Sequence, residues 1–131
     1  MWQQRGIVSG VAPALPGVTW QGHPALVHFW ATWCPVCRAE QGSIDAIAKD
    51  YPNTVTIAMR SGDLAAVGKF MREQSLDFPV IGDPEGTISQ AWGVHAVPAS
   101  FIVDSTGQIR FVEVGYTTEL GLRLRLWLAR F

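Results

Sequence analysis

Cysteine is scarce in this sequence: Cys34 and Cys37 are the only two among 131 residues. That excludes a disulfide-dense scaffold. It also excludes a structural zinc site, because His23, His28 and His95 lack the paired spacing that would complete a ligand set. Charge is thin as well: 10 Lys and Arg stand against 11 Asp and Glu, and only 16% of residues are charged. With a net charge of −1 and no basic stripe, a nucleic-acid partner is excluded. Long apolar runs are missing too. Residues 1–17 include Arg5 but no stretch of signal-peptide or membrane-spanning length, so the sequence reads as cytosolic or as trimmed from a longer chain. There is no internal repeat or low-complexity tract. A single domain of this length buries about two-thirds of its unfolded surface and needs no crosslink, which leaves the two cysteines free for function.

What is present is their placement, Trp33-Cys34-Pro35-Val36-Cys37, directly after the apolar run from Ala25 to Ala31. A proline just after Cys34 has its φ already set for a first helical turn and loses nothing by lacking an N–H there. Cys34 is thus expected at a helix N-terminus, where unpartnered N–H groups and the helix dipole stabilise a thiolate and draw its pKa below the free value of about 8.5. Cys37 follows one turn on, placed to resolve a mixed disulfide by forming the internal one. A structural disulfide is the weaker reading, since a two-residue gap removes little entropy from the unfolded chain. A soft copper(I) ion held by the two sulfurs is the competing reading from another functional class.

The remaining pattern alternates strands and helices. Residues 1–17, with Pro13 and Pro16, read as an extended lead-in to a domain over 18–131. Strands are expected at Val18–Trp20, Ala25–Ala31, Thr54–Met59 and Phe78–Ile81, and a hairpin at Ala99–Asp104 and Gln108–Val114. Helices are expected from Pro35 to Asp50, after the cap Asp63 to about Gln74, over Gly86–Trp92, and from Thr117 or Thr118 to the end. Leu64, Val67, Phe70 and Met71 fall at core spacing in the second helix. Leu120, Leu124, Trp127 and Leu128 do so in the last, although its leucines also alternate as in a strand. A mixed sheet with helices on both faces follows, an α/β class.

The strand and motif "LVHFWATWCPVC", the later "GVHAVPASFIVD" and the hairpin after it resemble the thioredoxin superfamily. Glu40, three residues past Cys37, and a βα insertion from about Asp63 to Asp83 make the chain similar to the TlpA/ResA/DsbE branch, which takes in copper-sensitivity suppressors of the ScsD kind. The resemblance implies a thioredoxin fold with the βα insertion ahead of a cis-proline, Pro98, facing the cysteine pair. Val97 would then offer its backbone to a partner peptide as an added strand, and Trp33 would form an apolar docking wall unless it merely fills the core. The implied activity is thiol–disulfide exchange with a disulfide-containing protein, as a reductase or alternatively an oxidase or isomerase, with no cofactor. The implied setting is periplasmic, often behind a membrane anchor not seen in this sequence, with a membrane thiol reductase as electron donor.

Glu40 carries a negative charge that disfavours a thiolate nearby, and neither Pro35 nor Val36 adds a cation to offset it, which favours a reducing couple. A solvated helix carboxylate without a tuning role is the other reading. His28 stands six residues before Cys34, where thioredoxins carry a buried acid. It reads either as a base that takes the Cys37 proton or as a satisfied core histidine. His95, three residues before Pro98, reads as a surface-loop residue bordering the site.

Overall fold

The computed structural model describes residues 8–20 and 22–131. The apolar segment Ala25–Trp30 is strand β1, buried at every position. Helix α1, Pro35–Asp50, follows, then β2, Val55–Met59, also fully buried. Asp63 caps α2, Leu64–Glu73, by accepting a hydrogen bond from the Ala66 N–H. Strand β3 is Val80–Asp83, helix α3 is Thr87–Ala91, strands β4 and β5 are Ala99–Val103 and Ile109–Val114, and α4 is Glu119–Leu128. The expected helix and hairpin positions hold to within a residue or two, except that α4 stops at Leu128, three residues before the end.

The five strands lie in the order β3-β2-β1-β4-β5. β1 pairs parallel with β2 and antiparallel with β4, and Phe29 stands opposite Ala99. This mixed sheet has helices on both faces. Leu26, Trp30 and Ile102 pack with Ile44 and Ile47 of α1, Val67 and Met71 of α2, and Leu122 and Leu126 of α4. On the other face Phe29, Trp92 and Phe101 form a cluster with centroids 4.9 to 5.7 Å apart, beside α3. Aromatic pairs at such spacing add to the stabilisation from buried area. Among the described residues no helix is long and apolar enough to cross a membrane.

Several expectations are corrected. Val18–Trp20 form no strand; Trp20 instead packs edge-on against Trp92. The lead-in is partly core, because Val11 bridges to Gln108 while Ala12 and Leu15 are buried. Its first seven residues lie outside the described residues. The third strand starts two residues later than expected, since Phe78 is a buried anchor and Pro79 has no N–H for a ladder; pairing begins at Thr56 opposite Val80. Leu64, the first residue of α2, is exposed.

The largest correction is the face of α4. Leu120, Leu124, Trp127 and Leu128 are exposed, and Leu122, Leu126 and Ala129 are buried. Leucine at every second position puts leucines on both sides of a helix, so spacing alone left the buried side open. Leu126→Ala is therefore expected to cost about 2 to 5 kcal/mol in urea unfolding, and Leu124→Ala about 0.5 kcal/mol or less. Similar losses for the two variants would contradict this packing.

Candidate active site

The cysteine pair sits where β1 hands over to α1. Cys34 is the N-cap residue with extended backbone, Pro35 opens the first turn, and no acidic residue lies in that turn. The two cysteines form a disulfide with Cα atoms 5.3 Å apart, and the Cys37 N–H donates to Cys34 Sγ at 3.1 Å. Both are buried. Pro35 and Val36 between them face solvent and bring no charge to the site.

The loop that carries Trp33 is pinned to the end of β2. The Thr32 N–H donates to Ser61 Oγ at 3.0 Å, and that hydroxyl donates to the Met59 carbonyl at 3.0 Å. Trp33 is 57% exposed, and its indole N–H donates to the Arg60 carbonyl at 3.0 Å. It is a fixed surface wall, not core filler. Opposite, the Val97–Pro98 peptide bond is cis and the Val97 carbonyl oxygen lies 3.7 Å from Cys34 Sγ. Pro98 is buried and its carbonyl accepts from the Gly115 N–H at 2.7 Å.

Beneath the disulfide lies a buried polar group. Glu40 and His28 have 0% and 2% of their side-chain surface exposed, and Glu40 Oε1 lies 3.5 Å from His28 Nε2. Glu40 Oε2 accepts from the Thr117 N–H at 2.7 Å, and His28 Nδ1 lies 2.9 Å from Ser100 Oγ. Loss of hydration holds His28 well below its ordinary value, at about 3, and raises Glu40 to about 7 despite the opposing Thr117 hydrogen bond. The solvated reading of Glu40 is therefore wrong. His28 is a core histidine with partners, yet one of them is an acid that titrates near neutrality.

The structure thus gathers Trp33, Cys34, Cys37, Val97 and Pro98 at one end of the sheet, with Glu40 and His28 below. His95 is exposed and borders a cavity beside Trp33. His23 lies just before β1 and uses its carbonyl to accept from Asn53, apart from this group. Among the described residues no cluster of three or more His, Cys, Asp or Glu forms a metal-ligand set. Ser61, Ser100, Arg60 and Thr117 escaped the sequence reading. Ser100 carried a signal, being the one hydroxyl in the apolar strand "ASFIV"; Arg60 and Thr117 act through backbone groups that every residue type has.

A sheet of this order with a cysteine pair at the start of the first helix and a cis-proline opposite defines a thioredoxin-like protein. The chain belongs to the AhpC/TSA family, which matches residues 15–112. It is similar to a thioredoxin-like protein of Haemophilus influenzae, 33% identical over 111 residues, 85% of this chain and 66% of that protein. It is also similar to a thiol:disulfide interchange protein DsbE homolog of Paracoccus denitrificans, 38% identical over 64% of this chain and 46% of that one. A crystal structure of a thioredoxin-family thiol:disulfide interchange protein from Chlorobium tepidum superposes with a TM-score of 0.76 at 26% identity, covering 93% of this chain and 97% of that one. The chain spans about half to two-thirds of the length of these two curated relatives.

The buried pair sets a pH signature. Between pH 3 and 6.5 the unfolded chain binds a proton on His28 that the native chain refuses, so this group makes stability rise with pH. Between pH 4.5 and 7 the native chain keeps a proton on Glu40 that the unfolded chain has lost, so that group makes stability fall. Glu40→Gln should gain on wild type in urea midpoint as pH rises from 4.5 through 7, and His28→Asn should gain as pH falls below 6.5. Differences from wild type that stay flat with pH would contradict these assignments.

Proposed function

We propose that the chain is a thiol–disulfide oxidoreductase that exchanges disulfides with protein partners through Cys34 and Cys37, working mainly as a reductase. The observation that carries this is the disulfide at the N-terminus of α1 with Cys34 Sγ 3.7 Å from the Val97 carbonyl. In the reduced protein the Cys34 thiolate attacks one sulfur of a partner disulfide, and the other partner sulfur leaves as a thiolate. Cys37, deprotonated, then attacks Cys34 Sγ, the internal disulfide forms, and the second partner sulfur is released. Two electrons and two protons pass to the partner.

Among the described residues nothing accepts a hydrogen bond from the Val97 N–H. Together with the Val97 carbonyl it can pair with an extended partner segment, while Trp33 supplies the apolar wall. Glu40 and His28 act from below. Each Cys37 proton lost or gained lies next to an acid that is half ionised near pH 7, and a charge on Glu40 opposes a thiolate. That favours the disulfide over the dithiol, which is what a reductant needs. Glu40 takes or returns the proton, and His28, neutral, faces it and helps hold it in place. The site belongs outside the cytoplasm, where partner disulfides persist, with a membrane thiol reductase restoring the dithiol. Copper(I) held by the two sulfurs, and a role in copper tolerance, would require the dithiol to bind metal without turning over a disulfide.

Equilibration with glutathione should give a potential near that of thioredoxin, about −270 mV, whereas a value near about −120 mV would mark an oxidant. Glu40→Gln should raise that potential and lower the Cys34 pKa read by pH-dependent alkylation. Cys37→Ser should hold its partner as a mixed disulfide, and His28→Ala should slow resolution in single-turnover reduction. Absence of any covalent capture by Cys37→Ser from an extract of disulfide-bearing proteins would overturn the exchange reading.

A further inference from the structure

Arg60 leaves β2 with a φ of 47°, a left-handed conformation that a non-glycine residue adopts only when its surroundings impose it. Here they do. Its N–H donates to the Asp83 carbonyl at 2.8 Å and its own carbonyl holds the Trp33 indole at 3.0 Å. Its guanidinium lies close to Gly86, where a Cβ would come within 2.8 Å of Nε and 3.0 Å of Nη2. Gly86 is itself left-handed, at φ 75°. The head group lies beside Gly86 at the edge of a cavity of about 420 Å³ whose wall is Trp33 and whose lining includes Met59, Val94 and His95.

Arg110, Arg123 and Arg125 each pair with a carboxylate. Among the described residues no carboxylate lies within ion-pair reach of Arg60. The nearby Asp83 carboxylate is already taken by the Ile88 N–H and by the N–H and hydroxyl of Ser89, at 2.7 to 3.0 Å. A guanidinium without an ion-pair partner among the described residues, beside the apolar wall of Trp33, which directly precedes Cys34, suits a guest that brings its own carboxylate.

We propose that this cavity is a subsite for an aspartate or glutamate side chain of the partner segment, anchored by Arg60 and placed within a few residues of the cysteine under attack. The assignment rests on the disulfide-exchange reading and adds to it a preference for acidic partner sequence. A carboxylate in the cavity pairs with the guanidinium while its methylene stem lies on Trp33, so one contact selects charge and the other seats the chain.

The test uses the reduced protein and three peptides, each with one internal disulfide, that differ only in carrying Glu, Gln or Lys two residues from a cysteine. The Glu peptide should be reduced about fivefold faster in kcat/KM than the Gln peptide, the size expected of one well-formed accessible ion pair, and the advantage should shrink at high salt. Arg60→Gln should bring the Glu-to-Gln ratio close to one, and Arg60→Glu should shift the preference to the Lys peptide. Equal rates for Glu and Gln peptides with the wild-type protein, or a Glu advantage that survives Arg60→Gln, would overturn the subsite. Failure to reduce any of the three would overturn the exchange reading itself, and the subsite with it.

Discussion

The site depends on the pairing of β1 with β4. Because the two strands run antiparallel with Phe29 opposite Ala99, the residue before Ala99 arrives at the end of β1 where α1 begins. That residue is Pro98, and Cys34 is four residues past Trp30. A parallel pairing, or a slip by two residues, would carry Pro98 away from the disulfide and leave Val97 with nothing to present. The same register sets Ser100 opposite His28, so one ladder positions both the front of the site and its buried rear. Register of this kind is well specified because β1 and β4 are buried at every position, and a one-residue slip would turn each side chain to the wrong layer.

The rear of the site is costly by ordinary measures. Burying an acid and an imidazole without water penalises the charged form of each, and here both are driven toward neutrality in opposite directions. His28 is held neutral where Glu40 titrates, so in the proposed exchange only Glu40 changes its charge. Ser100 holds His28 Nδ1 and the Thr117 N–H holds Glu40 Oε2, while His28 Nε2 and Glu40 Oε1 face each other, Oε1 having no hydrogen bond among the described residues. A polar group left this way in a core is expected to have a role that offsets its cost. In the proposed exchange that role is local: α1 places Glu40 one turn beyond Cys37 on the same side.

How much of this was legible varied with the range of the interaction. The helix start at Cys34, the cap at Asp63 and the hairpin turn rest on neighbours within a few residues, and sequence carried them well. Glu40 was legible as a residue beside Cys37 but not as a buried one. Its burial depends on α4 and the Thr117 segment closing over α1, and Thr117 lies 77 positions away. Ser100 is 72 positions from His28, and nothing in either segment names the other. The face of α4 failed for a different reason. Its alternating leucines satisfy two stripes equally, and only the concave space left between α1 and the sheet chooses Leu122 and Leu126. Periodicity locates an amphipathic element, and packing decides between near-equal faces.

The asymmetry of the two sulfurs follows from these placements. When the disulfide opens, negative charge is best held by Cys34, whose Sγ already receives the Cys37 N–H at the positive end of α1. Cys37 is one turn inside the helix, farther from those amides and one turn from Glu40, and in the proposed exchange a charge on Glu40 opposes a thiolate there. In the proposed exchange the front sulfur attacks and the rear sulfur resolves the mixed disulfide. Under that proposal the charge on Cys34 is gone once it is covalently engaged, and with it one source of repulsion to a charge on Cys37. Resolution then follows the capture that makes it necessary, with no moving part beyond the two sulfurs and the proton of Glu40.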